Sequence, residues 1–370
     1  MPSATSHWWR ICGCFLFTCT TVIADEAAAL KSPAVFVYCS AAQEQSIDLL
    51  HLNSETGVVA KVARRKLAGE PGALTTSPDG QLLFAAMRST GRLAAFRIES
   101  TTGLLSPINE VAAGADPAQI SVDHSGRFLL TAYYVAGKVS VHRIGDDGSL
   151  SESPEQEILT ADKAHAIVPD ASNQFAFVAH TGSNTIFQFG WNAETGRLAA
   201  HPQTRLDRPA QTGPRHIAWH PEKPIAYIDN EQANSVTAYC MSAEGMLQPG
   251  LSVSTLPTDF EGANSTAEIK THPSGRFLYV SNRGHDSLAV IRMDETGQQL
   301  EFIAAEPTEK TPRSFELTPD GRFLLAAGET SGRLAVSRID PKSGRLSLVH
   351  TQDIGPMLWW VHIPAKQVHP

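Results

Sequence analysis

The chain has 370 residues, 42% of them apolar and 18% charged, with 30 Lys+Arg against 38 Asp+Glu and a net charge of −8. That acidic balance, with no basic patch or run, excludes nucleic acid as an expected partner. Any anionic ligand must then be held by a few placed arginines. Beyond the first residues no segment approaches the roughly 18 consecutive apolar residues that a membrane span requires.

The first element is an apolar run, Ile11 to Ile23, preceded by Arg10 and ending Val22-Ile23-Ala24 ahead of Asp25-Glu26. A positive residue, a short apolar core and a small residue at the boundary predict a signal peptide over 1–24, cleaved after Ala24, and a linker over 25–33. The alternatives are an uncleaved anchor or a lipoprotein processed at Cys19, although Leu16-Phe17-Thr18 makes a poor lipobox. The expected location is periplasmic or secreted, and cytoplasmic if this segment is not a signal. Cleavage removes Arg10 and leaves 29 Lys+Arg against 38 Asp+Glu, a net charge of −9. Cys12, Cys14 and Cys19 leave with the signal. Cys39 and Cys240 remain without metal-ligand spacing, and are read as two buried free thiols rather than a disulfide.

From residue 34 onward one short turn recurs. Its glycines are Gly57, Gly103, Gly148, Gly196, Gly245, Gly297 and Gly344, at steps of 46, 45, 48, 49, 52 and 47 residues. A period in this range, built from short strands, predicts propeller blades. The clearest unit, over 117–160, reads as four strands. Pro117–Asp123, Phe128–Tyr134 and Lys138–Ile144 are separated by Gly-containing turns, and a looser strand ends near Leu159. In chain order we call these a, b, c and d.

The a–b turn recurs six times, at Gly80, Gly126, Asn173, Lys223, Gly275 and Gly321, against seven copies of the c–d turn. Val35–Cys39 opens the repeats at a strand b, so the first blade lacks its strand a. Met357–Ile363, near the other end, is a strand without a blade. Supplying one from the other closes a ring and removes an exposed edge. The expected fold is therefore all-β: a seven-bladed β-propeller of four-stranded antiparallel blades over 34–363, closed by its C-terminal strand, with a tail over 364–370. An open solenoid is the alternative, and it leaves both ends uncapped.

In such a ring strand a lines the channel, and its start opens on one face beside the end of strand b. Counted from the a–b turn, Arg88, Tyr134, Thr181, Glu231, Arg283 and Glu329 lie eight positions later. His165, Arg215 and Arg313 lie eight positions earlier, and His216 and Glu268 seven earlier. Ionisable residues gathered at the mouth of a channel predict a polar, anion-compatible pocket with acid/base groups. Each has a plainer reading. His165 packs as a satisfied core histidine, Arg215 and Arg313 brace neighbouring blades, and Glu231 pairs with Arg283. A lone inner-strand carboxylate such as Glu268 is harder to dismiss, because burying it is costly. His180 and Tyr133 fall one position off this face. Asn264-Ser265-Thr266 matches a glycosylation sequon, a pattern common by chance.

Thr212-Gly-Pro-Arg-His-Ile217, Tyr227-Ile-Asp-Asn-Glu231, the stretch Ala267–Ser287 and Thr311–Phe323 resemble the lactonase family of seven-bladed propellers. That family includes propeller-type 6-phosphogluconolactonases and carboxymuconate cyclases. The resemblance runs from about residue 34 to 363 and implies binding and proton-transfer roles for His165, Arg215, Glu231 and Arg283. It adds Glu268 and Arg313 as frequent family positions. Two segments depart from the family pattern: Asp162-Lys-Ala-His165 lacks the expected paired histidines and proline, and Ala327-Gly328-Glu329 stands where the family carries Ala-Asn-Gln.

The expected activity is hydrolysis of a sugar δ-lactone by a carboxylic-ester hydrolase. Glu231 or His165 serves as general base, and Arg215 with Arg283 as anion and oxyanion clamps. His216, Glu268, Arg313, Arg88 and Glu329 are the expected substrate-binding residues. No cofactor and no metal is expected, since no Ser/Cys nucleophile motif or metal-ligand cluster stands out. Export points to unphosphorylated aldonolactones. A carboxymuconate cycloisomerase-like enzyme and a non-catalytic ligand-binding propeller are the alternatives.

Overall fold

The described residues of the computed structural model are 34–114 and 116–366, together with residue 1. The expected signal peptide and linker, and most of the tail, lie outside them. Among the described residues no helix is long and apolar enough to cross a membrane.

Seven four-stranded antiparallel sheets account for the strands of the described residues. Blade 1 has the order β28-β1-β2-β3, built from β1 (Ala34–Ala41), β2 (Ser46–Asn53), β3 (Val59–Lys66) and the C-terminal β28 (Leu358–His362). The remaining six blades follow in chain order. Their innermost strands are β4 (Pro71–Thr76), β8 (Pro117–Val122), β12 (Ala164–Pro169), β16 (Pro214–Trp219), β20 (Ser265–Thr271) and β24 (Pro312–Leu317). Each innermost strand touches the next, and β28 touches both β24 and β4, so the ring is closed. The expected exchange between chain ends is thus the observed one, with Cys39 opposite Val361 and Tyr38 opposite His362.

The glycine period is a packing constraint between blades. A Cβ on Gly103 would meet the ring of Phe36 at 2.8 Å, on Gly344 that of Phe277 at 2.6 Å, and on Gly57 that of Phe323 at 2.5 Å. Each c–d turn therefore rests on the second strand of the preceding blade, and Gly57 on Phe323 carries the rule across the closure from blade 1 to blade 7. Each of these glycines also adopts positive φ, which a residue without a Cβ tolerates best. Tyr38, Tyr227 and Tyr279 donate their hydroxyls to the carbonyls of Gly103, Gly297 and Gly344 at 2.7, 2.7 and 2.9 Å, tying turn to blade.

Several residues have purely structural places. Cys39 is a buried free thiol, whereas Cys240, also free, is only half-buried. His180 bonds Thr160 at 2.9 Å and the Tyr133 hydroxyl meets Ser140 at 2.8 Å, both inside blades. The side chain of Asn264 donates to Asn234 and Asn282, at 2.8 and 3.0 Å, and Thr266 is fully buried. The folded sequon is spent on packing.

Candidate active site at the channel mouth

Each innermost strand loses register with its neighbour near the same end. The shifts fall between Pro71 and Leu74, Pro117 and Gln119, Ala164 and Ala166, Pro214 and Ile217, Thr266 and Ile269, and Pro312 and Ser314. In β28 the residue passed over is Trp359. The residues inside these irregularities include His165, Arg215, His216, Glu268 and Arg313. A bulge bends a strand and re-aims a side chain. Strict alternation would send neighbouring positions to opposite faces, and the bulges let Arg215 and His216 both serve the channel.

Arg88, His165, Arg215 and Arg313 meet Trp359 and Trp360 around a small pocket of about 10 Å³, room for about one water. Arg88 and Arg313 lie 5.5 and 5.3 Å from the Trp359 ring centroid, a cation–π arrangement. Tyr134 meets the His165 ring edge-on at 5.7 Å.

Every arginine of this mouth has a carboxylate. Arg88 holds Asp116 through two bonds of 2.6 and 2.8 Å. Arg313 reaches Glu329 at 3.4 Å, and Trp359 Nε1 donates to the other Glu329 oxygen at 3.0 Å. Arg283 bonds Glu231, and Arg215 Nε lies 3.8 Å from the same oxygen. Burial opposes ionisation of Glu231, but Arg215, Arg283 and Arg313 outweigh it and hold the carboxyl below its usual range. Burial brings Arg215 down to about 10, with Arg283 adding repulsion, so it stays charged at neutral pH. His165 is buried, and burial followed by repulsion from Arg215 lowers its pKa well below 6.5. It is a neutral imidazole at pH 7, with Nδ1 lacking a hydrogen-bond partner among the described residues.

Residues 34–363 match the family described as the seven-bladed β-propeller lactonases. The chain belongs to the lactonase family of seven-bladed β-propellers. A 6-phosphogluconolactonase of Yersinia pestis is 30% identical over 226 residues, covering 60% of this chain and 66% of the relative, just under two thirds of its length. One from Pectobacterium carotovorum is 32% identical over 174 residues, 47% of this chain and 52% of the relative. Among solved structures, the periplasmic gluconolactonase of Pseudomonas aeruginosa superposes with a TM-score of 0.82 at 25% identity, covering 89% of this chain and 99% of that one.

Within this lactonase-family mouth the structure brings together His165, Arg215, Glu231, Arg283, Arg313, Glu329 and Arg88. His216 and Glu268 stand one layer deeper, on the wall of a larger cavity beyond the mouth. His216 Nδ1 lies 3.0 Å from Glu268 Oε1, and its ring sits 4.9 Å from that of His165. Burial brings His216 down to about 4, so it is neutral and donates to an ionised Glu268. Burial opposes that ionisation, but His216 and Lys270 outweigh it and take Glu268 to about 2. Among the described residues no group of three or more His, Cys, Asp or Glu is placed to hold a metal ion.

Sequence reasoning missed Asp116, Trp359, Trp360 and Asp229. The last carried a signal, since an acid inside the strand motif Tyr227-Ile-Asp-Asn-Glu231 has no ready solvent. Asp229 accepts the His216 backbone N–H at 2.7 Å and the Thr266 hydroxyl at 2.8 Å, so it ties blade 5 to blade 6 beneath the arginines. Burial raises its pKa from 3.8 to about 7, against the pull of Arg215. A raised folded pKa gives stability that is fully present below the unfolded value and lost as pH rises through the folded one. Native stability is therefore expected to fall relative to Asp229→Asn between about pH 4 and about pH 7, the interval from the unfolded to the folded pKa. Urea unfolding of both proteins across that range checks it; parallel pH curves would remove the assignment.

Proposed function

We propose that this protein hydrolyses sugar δ-lactones, with His165 as general base and Arg215 as oxyanion clamp. The observation that carries the reading is a neutral imidazole and a buried guanidinium sharing a pocket large enough for one water. The water attacks the lactone carbonyl while His165 takes its proton. Arg215 faces the oxygen that gains charge, where a pre-placed cation in a dry site acts most strongly. Collapse of the tetrahedral intermediate breaks the ring C–O bond, and the His165 imidazolium returns the proton to the departing alkoxide. Glu231 is engaged by Arg283 and Arg215, which makes it a poor base and a good positioner of both. The sequence left His165 and Glu231 level, and this pairing favours His165. No cofactor enters the scheme.

The arginine pairing also bears on the substrate. Arg88, Arg215, Arg283 and Arg313 face Asp116, Glu231 and Glu329, and Arg88 is already held bidentately. A phosphate would have to displace Asp116 to gain Arg88 as a bidentate clamp. An uncharged aldonolactone needs no displacement, and the apolar run at 11–23 agrees with export to where such lactones form. The relative named a periplasmic gluconolactonase supports the same choice.

The test is acid release from δ-gluconolactone and its 6-phosphate, corrected for spontaneous opening. Faster turnover of the unphosphorylated lactone is expected. His165→Gln should lower kcat by about 10²- to 10⁴-fold with KM little changed, whereas Glu231→Gln should act mainly on KM. Because the His165 pKa is lowered, kcat/KM should stay level down through pH 6.5 and fall only in more acid solution. A midpoint above 6.5, or a His165→Gln enzyme of normal rate, would remove His165 from the role. Binding of either lactone without turnover would overturn the enzymatic reading.

A further inference from the structure

On the side of the ring away from the arginine mouth, the channel widens into a cavity of about 770 Å³. Its rim includes the a–b turn residues Pro78, His124, Pro273 and Pro319, at the far ends of the innermost strands. The rings of His165, His216 and Trp360 stand in series between cavity and mouth, at centroid separations of 4.9 and 5.8 Å.

The deep wall is built from charged groups. Lys270 Nζ lies 3.0 Å from Glu316 Oε2, and Glu268 is the second carboxylate acting on that ammonium. His362 links the pair to the neighbouring strand β4, with Nδ1 3.8 Å from Glu316 and Nε2 3.0 Å from the Thr76 hydroxyl. Glu268 is 4% exposed, yet its Oε2 has no hydrogen-bond partner among the described residues, and neither has Trp219 Nε1. Trp219 and Trp360 supply aromatic surface to the same space. The mechanism above uses none of Lys270, Glu316, His362 or Trp219.

Those features select a ligand. In the deep wall Glu268 and Glu316 share the single ammonium of Lys270, which disfavours an anion there, and Lys366 stands apart near the Pro78 turn at the rim. An apolar ligand would leave Lys270 and Glu316 desolvated without new partners. Vicinal hydroxyls donate to carboxylates and accept from an ammonium, and the C–H faces of a sugar ring pack on indole. The volume is that of a small-molecule site. We propose that this cavity is a second binding site, separate from the arginine mouth, for a neutral polyhydroxylated ligand of mono- to disaccharide size.

Calorimetric titration of the full chain with D-glucose, maltose and sodium gluconate tests it. Glucose and maltose carry no lactone, so failure here and failure to hydrolyse lactones are separate observations. Either neutral sugar should bind at one site, equally well in wild type and in Arg215→Met, and at least about tenfold more tightly than gluconate. Glu316→Gln leaves Lys270 balanced by Glu268 and should weaken the sugar about tenfold or more. Val168→Trp adds bulk to the cavity from a wall residue outside the ion network and should also weaken the sugar, so the test survives if one variant fails to fold. Three results would overturn the proposal: no binding of either sugar up to about 100 mM, sugar binding lost in Arg215→Met and unchanged in both cavity variants, or gluconate binding as tightly as glucose.

Discussion

Replacing Arg215 with methionine is expected to lower lactone turnover by about 10²- to 10³-fold while leaving a folded protein. Arg215 is 2% exposed, projects from a bulge in the innermost strand of blade 5, and donates to the carbonyl of Ala267 in blade 6. It is therefore fixed in place at the mouth, and such pre-placement makes a donor effective without reorganisation. Deleting one member of a buried ion pair normally strands a charge. Here Glu231 keeps Arg283, and Asp229, already raised to about 7 by burial, becomes more readily protonated. The expected stability loss is accordingly modest, about 1–3 kcal/mol, the scale of broken buried hydrogen bonds. Arg215→Lys should recover little of the rate, because an ammonium on a flexible stem lacks the planar fork. Corrected acid-release assays beside thermal melts separate the two effects. A folded Arg215→Met protein of wild-type kcat/KM would take this arginine out of the mechanism.

Ending the chain at residue 354 is expected to abolish the fold rather than trim it. The removed segment contains β28, the innermost strand of blade 1 and a neighbour of both β24 and β4. Leu358, Val361 and Ile363 are 0%, 0% and 4% exposed, and share one core with Val37 and Cys39 of blade 1 and Leu325 of blade 7. Burying three such aliphatic side chains contributes about 4.5–9 kcal/mol at about 1.5–3 kcal/mol each. That rivals the whole stability of an ordinary domain, about 5–15 kcal/mol. Truncation also bares the edge of β1, a template for association with other chains. Circular dichroism and size-exclusion chromatography of the truncated protein check the expectation. A peptide of residues 355–370 added in trans should restore some native signal by strand addition. A truncated monomer melting with the full chain would show that ring closure does not depend on β28.

Architecture was legible in the sequence because its determinants are short and repeated. Seven turns that need positive φ, and packing that leaves no room for a Cβ on Gly57, Gly103 or Gly344, write the same glycine into every blade. The missing first strand and the surplus last one were a local inventory, and they predicted that the C-terminal strand completes the first blade, the pairing seen at Cys39 and Val361. Charge at one strand position of several blades likewise marked the mouth. How the charges meet was decided only by the tertiary structure. Arg88 finds Asp116 across 28 residues, Thr76 meets His362 across 286, and Trp359 comes from the end of the chain to lie between Arg88 and Arg313. The bulges that separate His165 and Arg215 at the mouth from Glu268 in the deeper cavity leave no mark in a pattern of period two. Strand periodicity records which face a residue occupies relative to its own strand. The register between strands, and the partners a closed ring brings together, arise from packing between blades and become definite only once the ring has formed.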